Sequence, residues 1–354
     1  MQNLIMTSVI VATCMIGTAN IANSAEVTPD HSHNTANAIS LDPQHPDSFR
    51  NFSPELDLAL ARVPQMDAET GLYVEEIEPG LFFITDGIYQ SAFLVTDEGV
   101  IVFDAPPSFG DRLPDAIRQA APDTPITHLI YSHGHTDHVG GAAEFLGIPE
   151  LEIIASEAVA KSLQARAHPG ILLPTVTYSE AVSLLYGGQP IQLALAKFHA
   201  EDQDTIIYLP NQKFLIAVDT ITPGEAPFMN FGSTADVGGY LASFEQFLAY
   251  DFEHFLSGHV SVLGNRDDVI AARDYAFEVR DAALAGLGTF DERFGQAFAA
   301  MDYQNANLGY RFAIENIRDE CTSQIIDNWQ DRLSVVDVWA ASHCEHAILY
   351  YIMH

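Results

Sequence analysis

The sequence predicts an α/β protein in which helices cover β-sheets and a mostly helical region follows at the C-terminal end. Three observations predict it. From Leu72 onward, short apolar runs punctuated by turn residues read as strands. Helical stretches interrupt these runs, and after Asn265 the strand-like pattern gives way to helix up to about residue 350.

The elements follow in order. Leu81–Thr85, Ala92–Val95 and Val100–Phe103 are strand runs, and Asp97-Glu98-Gly99 makes the turn between the last two. A helix is expected over Leu113–Ala120, then a strand over Ile126–Tyr131. Further on come a helix near Ser156–Gln164 and strands at Ile191–Leu195, Thr205–Leu209 and Phe214–Val218. A helix near Gly239–Tyr250 precedes a long one over Arg266–Leu287, for which Asn265 is a suitable N-cap. The expected organisation is a signal peptide at 1–25, a flexible leader at 26–65, a catalytic domain at 66–265 and a helical extension at 266–354.

The chain has 354 residues, and its 48 acidic against 15 Lys and Arg side chains leave a net charge of −33. Phosphate backbones are bound chiefly through Lys and Arg, so this balance argues against a nucleic-acid partner. It equally disfavours an anionic membrane surface. An apolar stretch from Leu4 to Gly17, followed by Ala22-Asn23-Ser24-Ala25, reads as a cleavable export signal, although no Lys or Arg precedes Arg50. The run is too short for a spanning helix, so the mature protein is expected in the periplasm or secreted, without stable membrane association. Cys14 leaves with the signal, and Cys321 and Cys344 remain as a pair that an oxidising compartment allows to bond.

The chemistry concentrates after Tyr131. Ser132-His133-Gly134-His135-Thr136-Asp137-His138 places three imidazoles and a carboxylate within six residues, at a strand end with Gly140 and Gly141 behind. Zinc takes His nitrogen and Asp oxygen. His133 and His135 alternate along an extended backbone and can face one ion, and Asp137 and His138 can face a second. The two glycines relieve crowding near the site. His128, His254 and His168 read as ordinary core or surface residues. His343-Cys344-Glu345-His346 reads more simply as a helix face than as a metal site.

This pattern resembles the metallo-β-lactamase superfamily, whose signature is matched by His133-x-His135-x-Asp137-His138. The resemblance covers about residues 72–265 and implies an αββα sandwich. It also implies three downstream ligands at strand ends, for which His199, Asp219 and His259 stand in the right order. On that basis one zinc is expected on His133, His135 and His199, and another on Asp137, His138 and His259, with Asp219 between them. A bridging hydroxide would attack the substrate, and Asp137 would also orient the nucleophile or move a proton. Asp104 and Asp204 would support the ligands.

The expected partner is a small molecule. Asp219 stands where β-lactam-hydrolysing members commonly have Cys or Ser, and residues 220–265 hold no Lys or Arg to clamp an anion. The apolar stretch Phe228-Met229-Asn230-Phe231-Gly232 instead suits an ester or lactone of a neutral, partly apolar substrate, or else simply packs under the C-terminal helices. A phosphodiesterase or phosphotriesterase is the alternative, and a β-lactamase a further one. The C-terminal extension is expected to cover the mouth of the site or to form a homodimer contact.

Overall fold

The computed structural model describes residues 52–199, 203–300 and 304–354. The expected signal, Cys14, His31, His33, His45 and most of the leader lie outside the described residues.

Two sheets face each other. The first has seven strands in the order β1 (Tyr73–Glu78), β2 (Leu81–Thr85), β3 (Gln90–Val95), β4 (Val100–Phe103), β5 (Ile126–Ile130), β6 (Glu152–Ser156) and β7 (Val176–Tyr178). The first four pair antiparallel, and β4 to β7 run parallel. The second has five strands: β8 (Val182–Tyr186), β9 (Gln189–Ala196), β10 (Asp204–Leu209), β11 (Phe214–Ile216) and β12 (His254–Leu256), in spatial order β12-β11-β10-β9-β8.

Alternation along the strands decides the layers. Phe83, Leu94, Ile101, Phe103 and Ile130 from the first sheet meet Ile191, Leu193, Ile207, Phe214 and Ile216 from the second in one buried cluster. The opposite face of the first sheet, through Phe93, Val102 and Leu129, packs on α2 (Arg112–Ala120) and α4 (Glu157–Arg166). The outer face of the second sheet, through Ile206, Leu215 and Phe255, packs on α6 (Val237–Leu248), α7 (Arg266–Leu287), α9 (Ala306–Trp329) and α10 (Val336–Met353). The result is the expected αββα sandwich. α8 (Phe290–Ala300) contributes no fully buried residue.

Two boundaries differ from expectation. Residues 52–65, assigned to a flexible leader, include the short helix α1 (Asp57–Leu60), and Arg62 makes a double hydrogen bond to Asp268 at 2.7 Å. The leader's composition gave no hint of this, because the partner lies 206 residues away. The C-terminal helices are also not an appendage. Phe52–His354 forms one unit, and α7, α9 and α10 bury the sheet's outer face. A disulfide joins Cys321 on α9 to Cys344 on α10. Among the described residues, no helix is long and apolar enough to cross a membrane.

Candidate metal centre

The site stands on the ends of strands from both sheets. β5 stops at Ile130, and an extended His135 then caps α3 (Thr136–Val139), so His133 and His135 precede a turn of helix that carries Asp137 and His138. Gly141 is needed behind it, because a Cβ there would meet the carbonyl oxygens of Ala105 and Pro106 at 2.8 Å. Asp104, buried at the end of β4, accepts hydrogen bonds from the Ser132 N–H at 2.8 Å and the Ser132 hydroxyl at 2.6 Å. Ser132 Oγ lies 2.9 Å from His133 Nδ1, which leaves Nε2 for the centre. Burial pushes the Asp104 carboxyl up to about 6, and His138 and Ser132 restrain that rise.

His199 follows β9. Asp204 at the start of β10 accepts its backbone N–H at 2.8 Å and lies 2.7 Å from Nδ1, again aiming Nε2 inward. Asp219, just beyond β11, holds a left-handed backbone with φ 69°. His259 follows β12, in a turn held by buried Gln90. The Gln90 amide donates to the carbonyls of His259 and Val262 at 2.8 Å, and its oxygen accepts from the Ser257 N–H at 3.1 Å.

All seven residues singled out in the sequence converge. The ligand atoms of His133, His135, His199 and Asp219 lie within 4.8 Å of one another, as do those of Asp137, His138 and His259. Asp219 joins the two groups. Its Oδ2 is 3.2 Å from His133 Nε2, 3.6 Å from His135 Nδ1 and 3.7 Å from His199 Nε2. Its Oδ1 is 2.9 Å from His138 Nε2 and 3.0 Å from His259 Nε2. Asp137 Oδ2 lies 3.6 Å from both of those nitrogens.

This donor set fits metal ions. His133 Nε2 and Asp219 Oδ1 are buried and make no hydrogen bond, although buried polar atoms nearly always have a partner. Burial pulls His133 down to about 4, keeping it in the neutral, ligating form. Burial also works against charge on His138 and Asp219, yet their mutual attraction wins: His138 rises to about 9 and Asp219 falls well below the usual carboxylate range. The centre therefore draws in positive charge, which metal cations can supply.

A cavity of about 480 Å³ opens over Asp137, His135 and His259. Ile88 and Tyr89 from the β2–β3 turn, Ile221 and Phe228 from the segment after Asp219, and Trp339 from α10 form its walls. No Lys or Arg lines it among the described residues. On the other side, near His133 and His199, Arg166 is occupied by the Gly134 carbonyl and lies 3.3 Å from Ser162 Oγ.

The apolar stretch after Asp219 divides between the two roles considered for it. Phe228 lines the cavity beside Trp339, their rings 5.0 Å apart, whereas Phe231 is buried and stacks on His343. Asn230, Phe231, Gly232 and Ser233 all hold positive φ, a left-handed turn. Its Gly232 carbonyl lies 3.0 Å from His199 Nε2, and a Cβ on Gly232 would lie 2.0 Å from the Asp219 carbonyl oxygen. His343 serves this turn: its Nε2 is 3.1 Å from the Phe228 carbonyl and its Nδ1 2.8 Å from the Tyr275 hydroxyl. His346 lies 2.9 Å from the Thr234 carbonyl. His128 and His254 pair with Glu152 and Glu78, and His168 accepts the Gly170 N–H. Gln90, Tyr89, Glu225 and Trp339 were not legible as site residues; only the position of Gln90, a polar residue opening an apolar strand, was a signal.

Comparisons with known proteins agree with this geometry. The family model "Metallo-beta-lactamase superfamily" matches residues 85–259. A curated relative, 2,4-dinitroanisole O-demethylase subunit alpha of Nocardioides sp. (strain JS1661), is 27% identical over 226 residues, 63% of this chain and 66% of its own length. Among solved structures, a metallo-β-lactamase from Pontibacter korlensis is 20% identical, with a TM-score of 0.50 over 57% of this chain and 97% of that one. One from Hirschia baltica is 14% identical, with a TM-score of 0.48 over 57% and 96%. With two facing sheets, metal-type residues at strand ends and the family model matched there, residues 85–259 of the chain belong to the metallo-β-lactamase superfamily.

Proposed function

We propose that the chain is an exported two-zinc hydrolase that opens an ester or lactone bond of a neutral, partly apolar substrate. His133, His135 and His199 would hold one ion, Asp137, His138 and His259 the other, with Asp219 shared. Zinc so bound supplies Lewis acidity and a water that ionises near neutral pH. Asp137 lines the cavity and is more exposed than Asp219, placed to orient the attacking water and carry its proton. Ile88, Ile221, Phe228 and Trp339 cover the apolar part of the substrate and keep bulk water from it.

One observation carries the reading: the metal-type group opens into a largely apolar cavity where, among the described residues, no basic side chain stands to clamp a phosphate or carboxylate. The relative's name supports it, since 2,4-dinitroanisole is an uncharged aromatic ether. Export is supported by the Cys321–Cys344 disulfide, which suits an oxidising compartment.

The test is metal analysis with a substrate panel on purified mature protein. We expect two zinc ions per chain, one for each group, and turnover of p-nitrophenyl acetate or a lactone that Asp137→Ala abolishes. Selective turnover of bis-p-nitrophenyl phosphate or nitrocefin overturns the ester assignment, and exclusive cleavage of 2,4-dinitroanisole redirects it to an activated aryl ether. Absence of any bound transition metal overturns the hydrolase reading.

A further inference from the structure

Among the described residues, one charged side chain in the cavity wall lies outside the metal-type group. Glu225 sits on the segment between Asp219 and Phe228, and it lines the same cavity. Its backbone is held firmly. The Glu225 N–H donates to the Thr222 carbonyl at 3.0 Å, the Ala226 N–H to the Ser334 carbonyl at 2.9 Å, and the Ser334 N–H to the Gly224 carbonyl at 3.0 Å. The carboxylate itself is half-buried and makes no hydrogen bond or ion pair among the described residues. A carboxylate so placed costs stability, and fixed, unpaired polar groups in an apolar pocket are how such pockets orient ligands.

We propose that Glu225 is the specificity-determining residue of this cavity, accepting a hydrogen bond from a hydroxyl, amide or amine on the apolar part of the substrate, away from the bond that is cut. This rests on the cavity being the substrate site of a hydrolase. The same carboxylate turns away substrates with an anionic group at that end, where among the described residues no Lys or Arg lines the wall to offset it. Burial, with exposed Glu55 nearby, pushes Glu225 up to about 7, so the group gives up stability that a ligand donor can return.

The experiment compares 4-nitrophenyl esters of phenylacetic acid that carry a para methyl, hydroxymethyl or carboxylate substituent. In the zinc-loaded wild type, kcat/KM follows hydroxymethyl, methyl, carboxylate in descending order. Glu225→Leu lowers the hydroxymethyl-to-methyl ratio about tenfold, the value of one hydrogen bond to a charged group. Glu225→Gln raises the carboxylate-to-methyl ratio by a similar factor, about tenfold. Glu180→Gln, an exposed acid outside the cavity, leaves both ratios where they were.

Binding is measured in parallel by isothermal titration, and needs no turnover. 1,4-Benzenedimethanol binds more tightly than 4-methylbenzyl alcohol to the wild type and equally to Glu225→Leu. Ester turnover with ratios that ignore both Glu225 variants overturns the Glu225 assignment and leaves the hydrolase reading standing. Inert esters with the binding difference intact overturn the ester assignment and sustain Glu225. Equal binding of both alcohols by wild type and variant overturns the assignment whatever the esters do.

Discussion

Gly232→Ala tests how the left-handed turn serves the metal centre. Gly232 has φ +72°, and an added Cβ would stand 2.0 Å from the Asp219 carbonyl oxygen. A carbon–oxygen contact needs roughly 3.3 Å, so one segment must retreat by more than ~1 Å. The left-handed backbone costs an L residue ~1–2 kcal/mol, and the overpacking adds ~1–3 kcal/mol. A total near ~3 kcal/mol lowers the melting temperature by about 6 °C at ~2 °C per kcal/mol for a chain of this size. The retreat also moves Asp219, whose two oxygens serve both ligand groups, so zinc affinity falls as well. Thermal unfolding and competition titration with a chelating dye measure the two effects. Gly295→Ala is the control, because Gly295 lies inside α8 with nothing within 4 Å of an added Cβ. It should be neutral or stabilising by up to ~1 kcal/mol. If Gly232→Ala melts within about 1 °C of wild type and binds zinc as tightly, the argument that the turn positions Asp219 is wrong.

Further outcomes follow from the same structure. Chelation should lower the melting temperature and added zinc should restore it, because the seven ligands converge only in the folded chain; an unchanged melt after verified metal removal contradicts this. Replacing both Cys321 and Cys344 by Ser releases a cross-link spanning 23 residues and should cost ~3 kcal/mol in denaturant unfolding, with equal stability counting against it. Burial holds His343 down to about 4 from an ordinary 6.5, so its contribution is complete above pH 6.5 and is lost as pH falls through about 4. His343→Phe should therefore show a shallower loss of stability on acidification, while at neutral pH it loses ~1–3 kcal/mol by stranding the Phe228 carbonyl and Tyr275 hydroxyl. N-terminal sequencing of protein recovered from the periplasmic or culture fraction should begin at Glu26, and an intact Met1 in that fraction refutes cleavage.

The parts of the fold that could be read were those with strong local signals. β4 is a continuous apolar run, β5 closes on the buried pair Leu129-Ile130, and Asn265 caps α7 with a reciprocal box through Asp268. β1 escaped because Tyr73-Val74-Glu75-Glu76-Ile77-Glu78 is largely exposed and shows no alternation. β12 escaped because three residues, His254–Leu256, become a strand only by pairing with β11 across the intervening helix α6. In the site, the His133–His138 loop, His199 and Asp219 follow strand runs that could be read, so motif and local pattern coincide, whereas His259 rested on the resemblance alone. The cavity wall had no such pattern: Trp339 reaches Phe228 from 111 residues away (339−228), and Glu225 is one acid among 48 until its neighbours are placed around it.

α10 lends Trp339 to the cavity, His343 to the left-handed turn and Cys344 to the cross-link, yet supplies none of the seven ligand residues. Because the same helix steadies the turn that sets Asp219, wholesale variation of α10 would disturb the reactive machinery along with the wall, which makes Trp339 the position on it to vary when retargeting the protein.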